Sequence, residues 1–341
     1  MKKFKLLTIC LTLCLLLVGC GSKEKKKEEV KKENGKTEIV EQQEVNKDIT
    51  VVDPNSNTRP IAVMVNNIID VWDYQAGIQD AYLVYEIVVE GGYTRLMALY
   101  KDQATARIGS IRSSRPYYLD YAMENDAIYV HFGGSDLALS EIPQLGINNV
   151  NGMVYDNGFW RDNSLGLATE HTVFNSLAKI NEAIDYYGYS KTTDKGLLLN
   201  YLKNEDLSKK DGAMTANNVK VVFSASRNTS FVYDSETGLY KRFQNDYPHK
   251  DLVTKEQYTV KNIITYQVEN YSYDGYRQKL NNIGSGKGYY ITNGYAVPIT
   301  WEKSSRSAKT VYKYLDGTEV LLSDGNTHIE IQPINQALTI N

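Results

Sequence analysis

Cysteine is nearly absent from this chain of 341 residues: Cys10, Cys14 and Cys20 are the whole set. A chain cut before Cys20 keeps one thiol, which excludes a disulfide staple, a thiolate metal site and, once that thiol is blocked, a cysteine nucleophile. Histidine is nearly as scarce, at positions 131, 171, 249 and 328, too scattered for the short spacings of a metal site. No Gly-x-Ser-x-Gly elbow, His-Glu-x-x-His helix or Gly-x-x-x-x-Gly-Lys phosphate loop occurs. Ser176-Leu177-Ala178-Lys179 has a Ser-x-x-Lys spacing, but no Lys-Thr-Gly follows it. Positive charge is not in excess either, with 38 Lys and Arg against 41 Asp and Glu. Such a balance does not favour sequence-independent binding to nucleic acid. These absences predict no metal, no cofactor and no nucleic-acid partner.

The amino terminus carries a positive signal. Lys2, Lys3 and Lys5 lead into an apolar run over residues 6–18, broken only by Thr8 and Thr12. The run is short of the roughly 20 residues a spanning helix needs and has the length of a signal-peptide core. Leu17-Val18-Gly19-Cys20 resembles the lipobox of bacterial lipoproteins. That resemblance implies cleavage before Cys20, acylation of its thiol and a lipid bilayer as partner. It places the chain at the outer face of the cytoplasmic membrane. Residues 21–57 are rich in Lys and Glu and cannot bury a core, so they read as a charged flexible tether.

Beyond the tether, an apolar run at 61–65 follows Arg59-Pro60, and further strand patterns occupy 81–89, 94–100 and 127–132. Gly91-Gly92 has the chemistry of a tight hairpin. Pro116 suits the first turn of a helix over 116–124. Residues 136–144 and 173–187 read as two more helices. With no βαβ rhythm, 58–203 is predicted to be an α+β N-terminal domain with a mixed sheet. A polar stretch, 204–218, reads as a linker. From 219 to 335, eight short strand patterns alternate with turns such as Asp316-Gly317 and Asp324-Gly325. This predicts a mainly β C-terminal domain, a sandwich or barrel.

Several stretches together resemble one family. They are Arg59-Pro60-Ile61-Ala62-Val63-Met64-Val65-Asn66-Asn67, Tyr85-Glu86, Glu90-Gly91-Gly92, the run from Ile108 to Tyr118 and the run from Asp126 to Ser135. In the second half Tyr240-Lys241-Arg242, Pro248-His249, Gly286-Lys287-Gly288, Trp301-Glu302-Lys303 and Gly325-Asn326-Thr327 add to them. The likeness is to the YerB family of lipoproteins, defined by two adjoining DUF3048 domains. It runs essentially from Arg59 to Gln332 and implies a two-domain envelope lipoprotein of Gram-positive type, with no established catalytic activity to carry over. The pattern departs at Glu170-His171-Thr172, where a Pro before a His-Asn pair is expected.

Chemistry concentrates at Arg112-Ser113-Ser114-Arg115, before the predicted helix, and at His131 with Gly133-Gly134-Ser135. Two arginines beside a helix N-terminus suit a carboxylate or phosphate. Glu90, Arg95, Asp120 and Asp126 are candidates to complete the pocket, and His131 is a candidate acid or base. The plainer reading pairs Arg112 and Arg115 with Glu86, Glu90 or Asp120 and buries His131 in its apolar strand. Trp160 is the tryptophan expected at the surface, and Trp301 the one expected inside. Two functions follow. One is a binding or accessory protein for a wall polymer or envelope protein. The other is a hydrolase or transferase acting on wall glycan or a phosphodiester through Arg112, Arg115 and His131.

Overall fold

The computed structural model describes residues 49–341. The expected leader, Cys20 and most of the expected tether lie outside the described residues. Residues 49–57, read as tether from their surroundings, belong to the fold. Val52 is buried, and the backbone N–H groups of Thr50 and Val51 donate to the Asp324 carboxylate at 2.9 Å. The apolar pair Val51-Val52 is what the charge pattern around it obscured.

In the first half, strands form at Ile61–Asn67, Leu83–Val88, Thr94–Tyr100 and Ile128–His131. Their side chains alternate between two cores. Ala62, Met64, Tyr85, Ile87, Met97 and Leu99 enter one core, and Val63, Val65, Val84, Leu96 and Ala98 the other. Burial on both faces explains why these segments read as apolar runs rather than as alternating patterns.

The second half also follows its pattern, with strands at Asn218–Ser224, Arg227–Asp234, Leu239–Gln244, Asn262–Val268, Gly284–Thr292, Tyr295–Lys303, Val311–Tyr314 and Thr327–Pro333. The last five of these join the first-half strands in one eleven-stranded mixed sheet. The seam is Thr327–Pro333, which pairs in parallel with Leu83–Val88 on one side and with Asn262–Val268 on the other. The second half is mainly β as expected, but it is not a separate sandwich or barrel: five of these eight strands extend the first-half sheet, and the other three belong to a second sheet. Residues 204–218 are anchored as well. Leu207 and Ala216 are buried, and Met214–Thr215 pairs with Tyr295 and Ala296.

Helices α1 (Pro116–Glu124) and α2 (Asp136–Gln144) cover one face through Tyr118, Leu119, Ala122 and Ile142. Helix α3 (Leu177–Tyr186) covers the other through Ile180, Ala183 and Ile184. It begins later than position 173 because Val173–Asn175 is a strand and Ser176 caps the helix, its Oγ accepting from Lys179 N at 3.3 Å. Over the second half a six-stranded sheet takes α3's place, packing Val219, Val221 and Phe231 against Ile263 and Ile291. Among the described residues no helix is long and apolar enough to cross a membrane.

Candidate functional site

The segment carrying Arg112 to Arg115 lies across strand ends. Arg112 N donates to Met64 O at 3.0 Å, and Phe132 N to Arg112 O at 3.1 Å. Ser114 N donates to Gly133 O at 2.9 Å, and Ser135 N to Ser114 O at 3.2 Å. The segment is thus laced between the carboxyl ends of Ile61–Asn67 and Ile128–His131, which are parallel neighbours. Outside such carboxyl ends is where open α/β sheets bind ligands. Pro116, lacking an N–H, then opens α1 without loss.

The arginines gather here but differ in commitment. Arg115 makes a two-pronged pair with Glu90, Nε to Oε1 at 2.6 Å and Nη2 to Oε2 at 2.7 Å. Burial opposes the charge on Arg115, but Glu90 outweighs it and raises the pKa. Burial likewise opposes ionisation of Glu90, and the Arg115 bond outweighs it, keeping the carboxyl below its usual range. Arg95 is buried and donates from Nη1 to Ser113 O at 2.6 Å. Burial, then repulsion from Arg115, brings it down to about 10, with Arg112 adding to the repulsion. Arg112 is part-exposed and donates once, from Nη1 to the backbone oxygen of Glu170 at 3.2 Å. Its pKa is lowered by burial and by Arg115 and Arg161, with Glu170 opposing. The rim is therefore positive; Arg95 and Arg112 each make one hydrogen bond among the described residues, and Arg112 is the more exposed of the two.

The other candidates fall elsewhere. His131 is fully buried and stacks on Tyr129 at 5.1 Å. Its Nδ1 lies 2.7 Å from Gly133 O, so it carries the proton, and Nε2 accepts from Asn149 at 3.0 Å. Burial pushes its pKa down to about 4. With both nitrogens engaged it has no lone pair to offer a substrate, and the expectation of an acid or base at this position is corrected. Ser135 Oγ caps α2, accepting from Ala138 N at 3.3 Å. Asp120 faces the second half, bonded to Arg306 and to Asn282. Asp126, past the far end of α1, pairs with Arg59 at 3.4 Å and accepts from Thr193 at 2.6 Å. Neither aspartate joins the arginine cluster. His171 does border it. Asn66 donates to its Nδ1 at 3.1 Å, which puts the proton on Nε2, without a partner among the described residues, on a ring whose pKa burial and Arg112 lower.

Sequence reasoning did not find a second charged site, wholly buried between the two halves. Glu86 accepts from Asn67 at 3.0 Å, Thr94 at 2.6 Å, Thr229 at 2.9 Å and Arg227 at 2.9 Å, and from Arg242 as well. Burial alone would raise its pKa, but Arg242 and Arg227 bring it to about 2. Arg242 also bonds His249, which bonds Gln75. Glu330 is the register partner of Glu86 on the neighbouring strand. It has no hydrogen-bond donor among the described residues, and burial, then the Glu86 charge, drives its pKa well up. The visible signal was a carboxylate inside the apolar run Leu83–Val88. Its partners lie as far as 156 positions away. Trp72 is buried under Arg227, Trp301 is buried, and Trp160 is part of the surface.

A cleft of about 270 Å³ lies at the opposite ends of the same first-half strands, lined by Arg59, Ile61, Tyr100, Lys101 and Lys191 among others. No group of three or more His, Asp or Glu among the described residues is placed to hold a metal.

Comparison with known proteins gives concordant matches. A family described as a protein of unknown function (DUF3048), N-terminal domain, matches residues 48–190, and its C-terminal counterpart matches residues 219–329. YerB of Bacillus subtilis (strain 168), named provisionally as a lipoprotein, is 27% identical over 351 residues, covering 100% of this chain and 98% of that protein. The crystal structure of the YerB protein from Bacillus subtilis superposes with a TM-score of 0.72 at 24% identity, covering 83% of this chain and 94% of the other.

Proposed function

Taking as premise that this chain belongs to the DUF3048 family that includes YerB, we propose that it is a lipid-anchored binding protein at the outer face of the cytoplasmic membrane. In this reading Cys20 carries the anchor, and the first half captures an anionic group of a wall polymer at the Arg112 rim. The relative's lipoprotein name supports the anchor, and loss of fatty-acid label from Cys20→Ala checks it.

The observation that carries the binding role is the imbalance of charge. Burial lowers the pKa values of Arg95 and Arg112, and repulsion from Arg115 adds to it at both, with Glu170 opposing at Arg112. Among the described residues Glu90 is the carboxylate in an ion pair with the cluster, and Arg115 takes it; Glu170 acts on Arg112 without an ion pair. A protein holds uncompensated guanidinium groups together at some electrostatic cost, and an anion relieves it. The hydrolase or transferase reading draws no support from His131, whose nitrogens are both engaged.

The test is titration of the full-length chain with poly(glycerol phosphate). Arg112→Glu should weaken binding by about tenfold or more, the loss of one charge-assisted contact, with little change in melting temperature. Arg115→Ala should instead lower stability by roughly 3 kcal/mol, the low end for breaking a buried pair. Equal affinity of wild type and Arg112→Glu would overturn the proposal.

A further inference from the structure

We propose that a cluster of four tyrosines at the end of α3 is a second, separate binding platform, and that its ligand is a neutral sugar chain. The cluster shares no residue with the Arg112 rim, so it stands or falls independently of that reading.

The platform is built from Tyr155, Tyr186, Tyr187 and Tyr189. Gly188 turns the chain after α3 with φ of +66°, a conformation glycine adopts without a Cβ penalty. That turn folds Tyr189 back to stack on Tyr187 at 5.3 Å and 13°. Tyr155, from the loop after Asn149–Asn151, lies 5.0 Å from Tyr186 and 5.6 Å from Tyr187. Tyr186 stands edge-on to Tyr187 at 5.3 Å and 78°. Three of the rings, Tyr155, Tyr187 and Tyr189, rest against the hydrophobic core beneath α3. Tyr186 does not, and remains 73% exposed. The floor is thus fixed by packing while its outer ring is presented to solvent.

Two hydroxyls have partners within the chain: Tyr189 donates to Asn149 O at 3.2 Å, and Tyr155 accepts from Asn157 at 3.4 Å at the surface. Those of Tyr186 and Tyr187 have no partner among the described residues. Ring faces with free hydroxyls at their edges match what a pyranose offers, an apolar C–H face ringed by hydroxyls.

The charges nearby select the class of ligand. Lys191 is paired with Asp185 at 2.5 Å and Lys179 with Glu182 at 2.8 Å, so the flanking cations are compensated. Asp156, beside Tyr155, is exposed and takes part in no ion pair among the described residues. A polyanion would be repelled here, whereas a sugar hydroxyl would find an acceptor.

The test is calorimetric titration of the full-length chain, in detergent micelles, with the β-linked tetramer of N-acetylglucosamine. Wild type should bind saturably. Tyr186→Ala should weaken binding by about tenfold, the upper end for one aromatic stacking contact. Tyr186→Trp should retain binding, and Arg112→Glu should leave it unchanged. Because Tyr186 is exposed, its alanine variant folds, and it decides the matter even if Tyr187→Ala does not. Absence of saturable binding by wild type, or equal binding by Tyr186→Ala, would overturn the proposal. So would a Tyr186→Ala effect confined to sedimentation, which would make the platform a contact between copies of the chain.

Discussion

Arg112 and Arg115 precede one helix and end with different partners. Arg115 is spent on Glu90, while Arg112 holds one backbone carbonyl. Sequence proximity foretold the gathering, because Arg112-Ser113-Ser114-Arg115 is local. It could not apportion the roles, since Glu90 reaches Arg115 only through the hairpin at Gly91-Gly92. His131 shows the same limit: a histidine in an apolar strand is visible, but the engagement of both nitrogens depends on Asn149 and the Gly133 turn. The buried pair Glu86 and Glu330 was less legible still, because register across two halves sets it. It yields a pH prediction. Glu330 has a raised folded pKa, caused first by burial and then by Glu86. Its favourable contribution is therefore complete below the ordinary carboxyl value, about 4.3, and is lost as pH rises from there toward the folded value. Glu330→Gln has no proton to lose, so thermal melts should show it more stable than wild type at pH 8 and similar at pH 4. A variant less stable at pH 8 would mean that Glu330 is ionised in the fold.

At the scale of elements, continuous apolar runs placed the first-half strands and short alternating or apolar patterns those of the second half, because both are local properties. What they could not supply was pairing. Thr327–Pro333 lies between Leu83–Val88 and Asn262–Val268, and nothing within those segments specifies such distant neighbours. The short strand Leu338–Ile340, beyond the expected end of the fold, pairs with Asn218–Ser224 and was too brief to stand out. The tether boundary failed for a related reason. Residues 49–57 look like an extension of a charged coil, yet Asp324, in a turn of the second half, accepts the N–H groups of Thr50 and Val51. Asp324→Ala should free this segment. Limited proteolysis would then cut between 49 and 57 faster than in wild type, while the global melting temperature falls little. An unchanged cleavage rate would show that Val52 burial alone holds the segment.

For the whole molecule, two matched family segments share one sheet and one buried charge network. Arg227 and Arg242 of the second half neutralise Glu86 of the first, while Arg306 and Lys303 reach across to Asp120 and Glu124. Docked in this way, the second half stiffens the sheet whose strand ends carry the Arg112 rim. The rim and the tyrosine platform both belong to the first half. Whether Arg112 takes the anion, as proposed, is read most simply by arginine side-chain NMR. In a titration of the full-length chain with poly(glycerol phosphate), the Arg112 Nε–Hε resonance should shift saturably, while those of the buried Arg227 and Arg242 stay in place. An Arg112 resonance that does not move, or that moves only in step with an exposed arginine such as Arg277, would contradict the account.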